Sequence, residues 1–295
     1  MSKVTKWDYG FLPSQCCKEF PEELKYLDIF LDLKQYDPEA FRSAVNHYKL
    51  NNSHQRTIRN NILNKTWDNL QIQYIYSMTS ILAHKYIWGI DDDYKRSVPV
   101  GIAIPWFYSA KALDIPPVLT HAAVDLYNWQ LIDQKQPFSL DNIRNMHLTT
   151  DTTKQRQSES WFYLIMTAIE GCCGEILPLS LETLDLLEEY SNSKKNTKNK
   201  TSILTKIKEN LTKYSSLLST QRDIISRLPE RCVPDLFFNI QRKYLWGSDS
   251  DKLGGEVILE GDFPSDPQTI SFGGGSAAQS SLIQVEDIFL GVKHP

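Results

Sequence analysis

This sequence is poor in cysteine, in glycine and in unbalanced charge, and each shortage removes a class of function. The five cysteines stand as two adjacent pairs, Cys16–Cys17 and Cys172–Cys173, plus Cys232, and no C-x-x-C spacing occurs. Neighbouring cysteines rarely bridge each other, so the thiols are expected to be reduced, as in a cytosolic protein. Six histidines, His47, His54, His84, His121, His147 and His294, form no H-x-x-x-H or Cys/His cluster, which leaves a zinc site without support. Lys and Arg total 32 against 36 Asp and Glu, a formal charge of -4. Nucleic-acid binders carry a basic footprint that is missing here. The longest apolar stretches, such as "SWFYLIMTAI", fall short of the roughly 20 residues that cross a bilayer. The opening "MSKVTKWDYGFLP" lacks the apolar centre of a secretory signal. There is no G-x-S-x-G or other nucleophile motif, and no internal repeat. Strand evidence is thin, with "GEVILEG" and "QTISF" the only short candidates.

Helical periodicity fills the gap. The chain has 295 residues, 41% of them hydrophobic and 23% charged, ordinary for a globular protein. Its length suits one large or two medium domains. Leu24, Leu27, Phe30 and Leu31 of "EELKYLDIFLDL" fall on one helical face. "DNLQIQYIYSMTSILAHKYIW" is apolar nearly all round and predicts a buried helix. In residues 201–228, Leu204, Ile207, Leu211, Tyr214 and Leu218 recur at three- and four-residue spacing. Asp37-Pro38 and Ser139 look like helix starts. The polar run 149–160 separates two apolar blocks and suggests a boundary. "SNSKKNTKNKTS", residues 191–202, is polar, basic and of low complexity and predicts an exposed loop.

Chemistry concentrates in three places. "ISFGGGSAAQSSLIQ", residues 270–284, puts three of the chain's 13 glycines together. Glycine survives where φ is positive or another group comes close. The G-x-G-x-x-A match at Gly273, Gly275 and Ala278 lacks the strand–turn–helix unit and the downstream acid of a dinucleotide site. No Lys-Ser/Thr pair follows, which rules out a phosphate-cradling loop. A small-residue loop feeding a helix near Gln279–Leu282 remains. Its N-terminus would favour a carboxylate, or the loop simply crosses another segment tightly; both readings stay open. In "DLFFNIQRKYLWG", Phe238, Arg242 and Leu245 share one helical face. Arg242 is either a surface arginine or a cation awaiting a carboxylate. In "SESWFYLIMTAIEGCCGEILP", Phe162, Met166 and Ile169 line one face of a core helix.

Six segments taken together resemble the indoleamine 2,3-dioxygenase family, in the family's order: "GFLP", "RSVPVGIAIPW", "LDIPPVLTHAAVDLYNW", "WFYLIMTAIEG", "FFNIQRKYLWG" and "GDFPSDPQTISFGGGSAAQSSLIQVEDIFLGV". The likeness runs from the ninth residue or so to the last. It implies an all-α fold, with a small N-terminal helical domain over 1–150 and part of a larger helical haem domain over 151–295. It implies haem b as cofactor, tryptophan or a related indole and O₂ as partners, and insertion of both oxygen atoms across the indole C2–C3 bond to give N-formylkynurenine. A cytoplasmic monomer without nucleic-acid or membrane partners is expected. By the same resemblance Arg242 pairs with the substrate carboxylate, Phe237 and Phe162 pack on the indole, and Leu245 walls the pocket. Gly275, Ser276 and Ala277 border the haem edge near a propionate and the substrate ammonium.

The departures are specific. Met166 stands where the family has a distal serine, with Thr167 beside it. His121 stands at the pocket tyrosine and Val124 at the cysteine after it. Asp287 matches an aspartate that braces an arginine near the proximal haem histidine. No residue matches that histidine, and His294 follows the glycine block too closely to serve. The chain therefore reads as a C-terminally truncated form of the fold. The alternative is a non-catalytic or fragmentary relative acting as a helical binding or scaffold protein.

Overall fold

The computed structural model describes residues 9–33, 37–91, 93–193, 197–265 and 267–293; His294 lies outside them. The fold is all-α, as the periodicity predicts. Its helices are α1 (Tyr26–Leu33), α2 (Pro38–His47), α3 (Asn52–Leu63), α4 (Asn69–Trp88), α5 (Val100–Leu113), α6 (Thr153–Gly171), α7 (Cys173–Asn192), α8 (Thr197–Ser226), a short α9 (Pro234–Leu236) and α10 (Ser281–Leu290). The strands are β1 (Ser97–Val98), β2 (Trp129–Leu131), β3 (Ile143–Asn145), β4 (Val257–Leu259) and β5 (Gln268–Ile270).

Local chemistry sets the helix starts. The Asp37 carboxylate accepts the N–H groups of Glu39 and Ala40, both at 3.0 Å, with Pro38 opening α2. Asp68 with Gln71 and Thr152 with Gln155 form capping boxes that begin α4 and α6, each satisfying backbone donors that a helix leaves orphaned. The polar run 149–160 is thus the cap and first turns of α6. Glu159, fully buried, gathers it by accepting from the N–H and hydroxyl groups of Thr149 and Thr150. Ser139 does not cap a helix: one 3₁₀ turn, Leu140–Asn142, leads straight into β3, which pairs antiparallel with β2. The helical period there is too brief to propagate. Nor is 191–202 a loop throughout, since α7 runs to Asn192 and α8 begins at Thr197.

The larger core surrounds α4, which is buried along almost its whole length as its unbroken apolar pattern requires. Leu24, Leu27, Phe30 and Leu31 all enter this core. So do residues from far along the chain: Tyr163, Tyr244, Leu253, Val257, Leu259 and Ile270. A three-stranded sheet carries part of that return, with β4 parallel to β1 and antiparallel to β5. The two expected strands are β4 and β5; β1 to β3 are unexpected. A second core gathers Trp129, Trp161, Ile165, Cys173, Tyr214 and Leu282. On α8 the buried face is Ile203, Ile207 and Tyr214, while Leu204 and Leu211 are about half exposed. Ile207 and Tyr214 of the expected stripe are thus buried and Leu218 is partly so, while Ile203 takes the place expected of Leu204. Helices α6 and α7 follow each other with only Cys172 between them. Together, Thr153–Asn192 is long and apolar enough to cross a membrane by length and composition, contrary to the expectation from single runs; 56% of its most apolar window is buried inside the protein. All five cysteines are unpaired.

Two adjacent side chains of α4 hold the returning segment. His84 donates from Nδ1 to the Tyr244 carbonyl at 2.8 Å, and its Nε2 accepts the Leu119 N–H at 2.9 Å. Both ring nitrogens are used by a neutral imidazole. Burial pushes its pKa down to about 4. Lys85, 1% exposed, reaches both oxygens of Asp151 at 2.5 and 2.6 Å and the Tyr244 hydroxyl at 3.2 Å.

The glycine triplet meets protein. A side chain's first carbon at Gly274 would run into the Leu245 carbonyl oxygen, and one at Gly275 into that of Leu119. Gly273 is different, its nearest such neighbour being Asp249 Oδ2 at 3.9 Å. None of the three has positive φ. Close approach of backbone to backbone is what excludes side chains here, the tight-crossing reading left open above.

Two expectations follow. The unfolded chain protonates His84 below about pH 6.5, whereas the folded chain resists until about 4, so this contribution is whole above pH 6.5 and is lost as pH falls. The stability gap between wild type and His84→Gln should narrow by about 3 kcal/mol between those limits; denaturant titrations showing a constant gap would mean the ring protonates in place. Gly274→Ala should destabilise by about 2 kcal/mol or more, and Gly273→Ala by about 0.5 kcal/mol or less, as read from the same titrations.

Candidate active site

A cavity of about 580 Å³ opens between the glycine loop, α6 and the segment 237–252. Phe162, Met166, His121, Val124, Phe237, Arg242, Leu245, Gly275, Ser276 and Ala277 all line it. These are the residues implied by the family resemblance as substrate contacts and haem edge, drawn from four separate parts of the chain. Asp287, half-buried on α10, is outside the lining.

Departures from α-helical period aim two of the walls. The segment 234–245 is not the regular helix that its spacing suggests. Phe237–Gln241 is a π turn, closed by the Arg242 N–H on the Phe237 carbonyl, and Arg242–Leu245 is a 3₁₀ turn. A π turn aligns residues five apart and a 3₁₀ turn residues three apart, so Phe237, Arg242 and Leu245 face one side. Phe238, expected on that face, is instead 60% exposed, with the Arg242 guanidinium 5.7 Å from its ring centre. The opposite wall has a second π turn, Ala122–Leu126, closed by the Tyr127 N–H on the Ala122 carbonyl at 3.0 Å. Its wide turn leaves carbonyls that side chains occupy: Ser77 on that of Ala123 at 2.5 Å and Thr167 on that of Asp125 at 2.9 Å. The Thr167 hydroxyl is thereby engaged in the fold. Phe162 and Phe237 meet with ring centres 4.9 Å apart.

Behind this wall lies a buried acid–base cluster. His121 Nδ1 is 2.8 Å from Asp125 Oδ2, and Nε2 is 2.9 Å from Glu170 Oε1. The three residues are 4%, 3% and 0% exposed. Burial alone would lower the imidazole's pKa, but two carboxylates together outweigh it and hold His121 well above its ordinary value. Burial raises the Asp125 carboxyl, with His121 opposing. Two acceptors on one ring require two N–H donors. One imidazolium between two carboxylates leaves one negative charge in surplus. The Ser280 hydroxyl donates to Glu170 Oε1, and the His121 N–H donates to Gln279 Oε1 at 3.0 Å. Gln279 also closes a capping box with Ser276, whose hydroxyl accepts from the Ala278 N–H at 3.2 Å. Ser280 caps α10, so the carboxylate expected beside this helix start is the protein's own Glu170. Asp125 Oδ1 and Glu170 Oε2 have no hydrogen-bond partner among the described residues.

The cavity has two unlike ends. Val124, Asp125, Tyr163 and Met166 are buried, while Arg242, Asp249, Lys252, Ser276 and Ala277 are exposed. Asp125 and Glu170 escaped the sequence reading, although each follows a pocket residue by four positions, Asp125 after His121 and Glu170 after Met166.

The sequence profile described as Indoleamine 2,3-dioxygenase matches residues 4–295. Indoleamine 2,3-dioxygenase acdA of Aspergillus candidus is 31% identical over 232 residues, covering 74% of this chain and 52% of that protein. Indoleamine 2,3-dioxygenase 1 of Rattus norvegicus is 28% identical over 71% of this chain and 47% of its own. Indoleamine 2,3-dioxygenase of Saccharomyces cerevisiae is 29% identical, covering 76% and 47%. The chain spans about half the length of the curated relatives it matches. Matched along nearly its whole length, it belongs to the indoleamine 2,3-dioxygenase family.

Proposed function

We propose that the cavity binds tryptophan or a closely related indole amino acid and holds its ring for insertion of both atoms of O₂ across C2–C3, giving N-formylkynurenine. The carrying observation is the cavity's polarity. Arg242 stands at the exposed mouth with no carboxylate ion pair among the described residues. Phe162, Phe237, Val124 and Met166 make the inner part aromatic and apolar. An aromatic amino acid has that same division. Its carboxylate suits the planar fork of Arg242, and its ring suits the walls of Phe162 and Phe237, with Leu245 excluding water. The names of the relatives support oxygen chemistry on an indole.

Haem b is the cofactor that belongs with this reading, with Gly275, Ser276 and Ala277 along its edge. The described residues do not complete a haem site. His121 is the histidine of the cavity wall, and both its nitrogens already face carboxylates. Among the described residues no group of three His, Cys, Asp or Glu is placed to hold a metal. Any axial ligand has to come from elsewhere, and Asp287 would brace that region rather than the cavity. The substrate-side role stands on this chain's own residues: binding, orientation and exclusion of water. We further read the protein as a cytoplasmic monomer without nucleic-acid or membrane partners, in keeping with its unpaired thiols, and 1–150 and 151–295 as the domains of the family.

Arg242→Ala should weaken tryptophan binding, measured by calorimetry, by roughly thirtyfold, about 2 kcal/mol, while tryptamine, which has no carboxylate, should lose little. Arg242→Lys should fall between, because an ammonium cannot reproduce the fork. Equal affinity of wild type and Arg242→Ala for tryptophan would overturn the assignment.

A further inference from the structure

The cavity wall contains a charged oxygen that the fold leaves unused. Asp125 is 3% exposed, lines the cavity, and spends Oδ2 on His121 while Oδ1 has no partner. A buried, unpaired carboxylate oxygen carries a desolvation cost unless a donor meets it. The surrounding cluster cannot supply one. The imidazolium's two ring donors are taken by Asp125 Oδ2 and Glu170 Oε1, and Ser280 donates to Glu170. One negative charge stays in surplus beside the cavity, so a donor arriving from the cavity is favoured.

Position identifies the donor. Asp125 shares the closed end with Val124, Tyr163 and Met166, whereas Arg242 and Ser276 stand at the exposed end. With a carboxylate on Arg242, the α-ammonium stays near the mouth and the ring reaches inward. We propose that Asp125 is a specificity-determining residue whose Oδ1 accepts a hydrogen bond from the ring N–H of the bound aromatic amino acid. This rests on the reading of the cavity as an aromatic amino-acid site. The imidazolium of His121 opposes the upward pull of burial on the Asp125 carboxyl and keeps it in place, which makes it a positioning residue for that contact. A site built around a fixed acceptor discriminates against analogues that lack the donor more strongly than an apolar pocket does, because the acceptor is then left unpaired.

The test compares binding of three ligands to the full chain by calorimetry: tryptophan, N1-methyltryptophan, and the analogue with sulfur in place of the ring nitrogen. Wild type should bind tryptophan at least about tenfold more tightly than the sulfur analogue, a comparison that needs no substitution. Asp125→Val should bring the two affinities to within about threefold, chiefly by weakening tryptophan. N1-methyltryptophan should bind wild type no better than the sulfur analogue. Indole-3-propionate, which has the ring N–H but no ammonium, should lose affinity in Asp125→Val by the same factor as tryptophan. If only ligands with an ammonium respond to Asp125→Val, the acceptor serves the ammonium and the proposal is overturned. Equal binding of tryptophan and the sulfur analogue by wild type overturns it too. In that event Arg242→Ala separates the causes: if tryptophan binding still depends on Arg242, only the role of Asp125 fails, and if it does not, the aromatic amino-acid reading fails with it.

Discussion

One neutral imidazole joins three walls of the cavity. His84, inside the core helix α4, donates to the Tyr244 carbonyl and accepts from the Leu119 N–H. Tyr244 belongs to the turn that presents Arg242 and Leu245. The carbonyl of Leu119 is what would meet a side chain at Gly275, and the Gly275 N–H donates to the Leu245 carbonyl at 3.1 Å. Displacing His84 would therefore move the arginine wall, the His121 wall and the glycine loop together. Its requirement for neutrality is local, since a ring with Nε2 protonated could no longer accept from Leu119. Lys85 bears the charge instead, and Asp151 answers it.

The fold was legible where apolar spacing is regular. α4 is apolar and buried along nearly its whole length; the 3₁₀ turn Glu22–Leu24 and α1 together present the four expected residues to the core. Legibility failed where helices change period. The arginine segment keeps a helical composition from Pro234 to Leu245, yet its wide and tight turns shift Phe238 outward and Phe237 inward. A π turn is stabilised from outside, by side chains such as Ser77 and Thr167 that take its displaced carbonyls, so the segment's own residues do not announce it. On α8 the expected Ile207 and Tyr214 are buried, but Ile203 is buried where Leu204 is expected: the two are similarly apolar, and the packing of α7 chooses between them.

The glycine block shows how a correct location can carry an incomplete cause. Its position beside a cavity came from the resemblance, and the cavity is there. The absence of side chains at Gly274 and Gly275 is nevertheless explained by the carbonyls of Leu245 and Leu119. Close backbone crossing puts these thin loop segments at the cavity rim, where Ser276 and Ala277 follow. Packing creates the opening, and whatever enters it inherits the geometry.

His121 and Asp125 bear on how such a pocket can differ from others of its architecture. A histidine buried in the cavity wall would be costly alone, because a buried ring with two nitrogens needs two partners. Asp125, four residues later on the π turn that His121 precedes, and Glu170, four residues after Met166 on α6, supply them. Both carboxylates are then held by the same cation, and removing that cation would leave two buried carboxylates uncompensated, a loss of the order of 3–5 kcal/mol for such clusters. The three residues consequently constrain one another, and the polarity they bring to the closed end of the cavity is a property of the set.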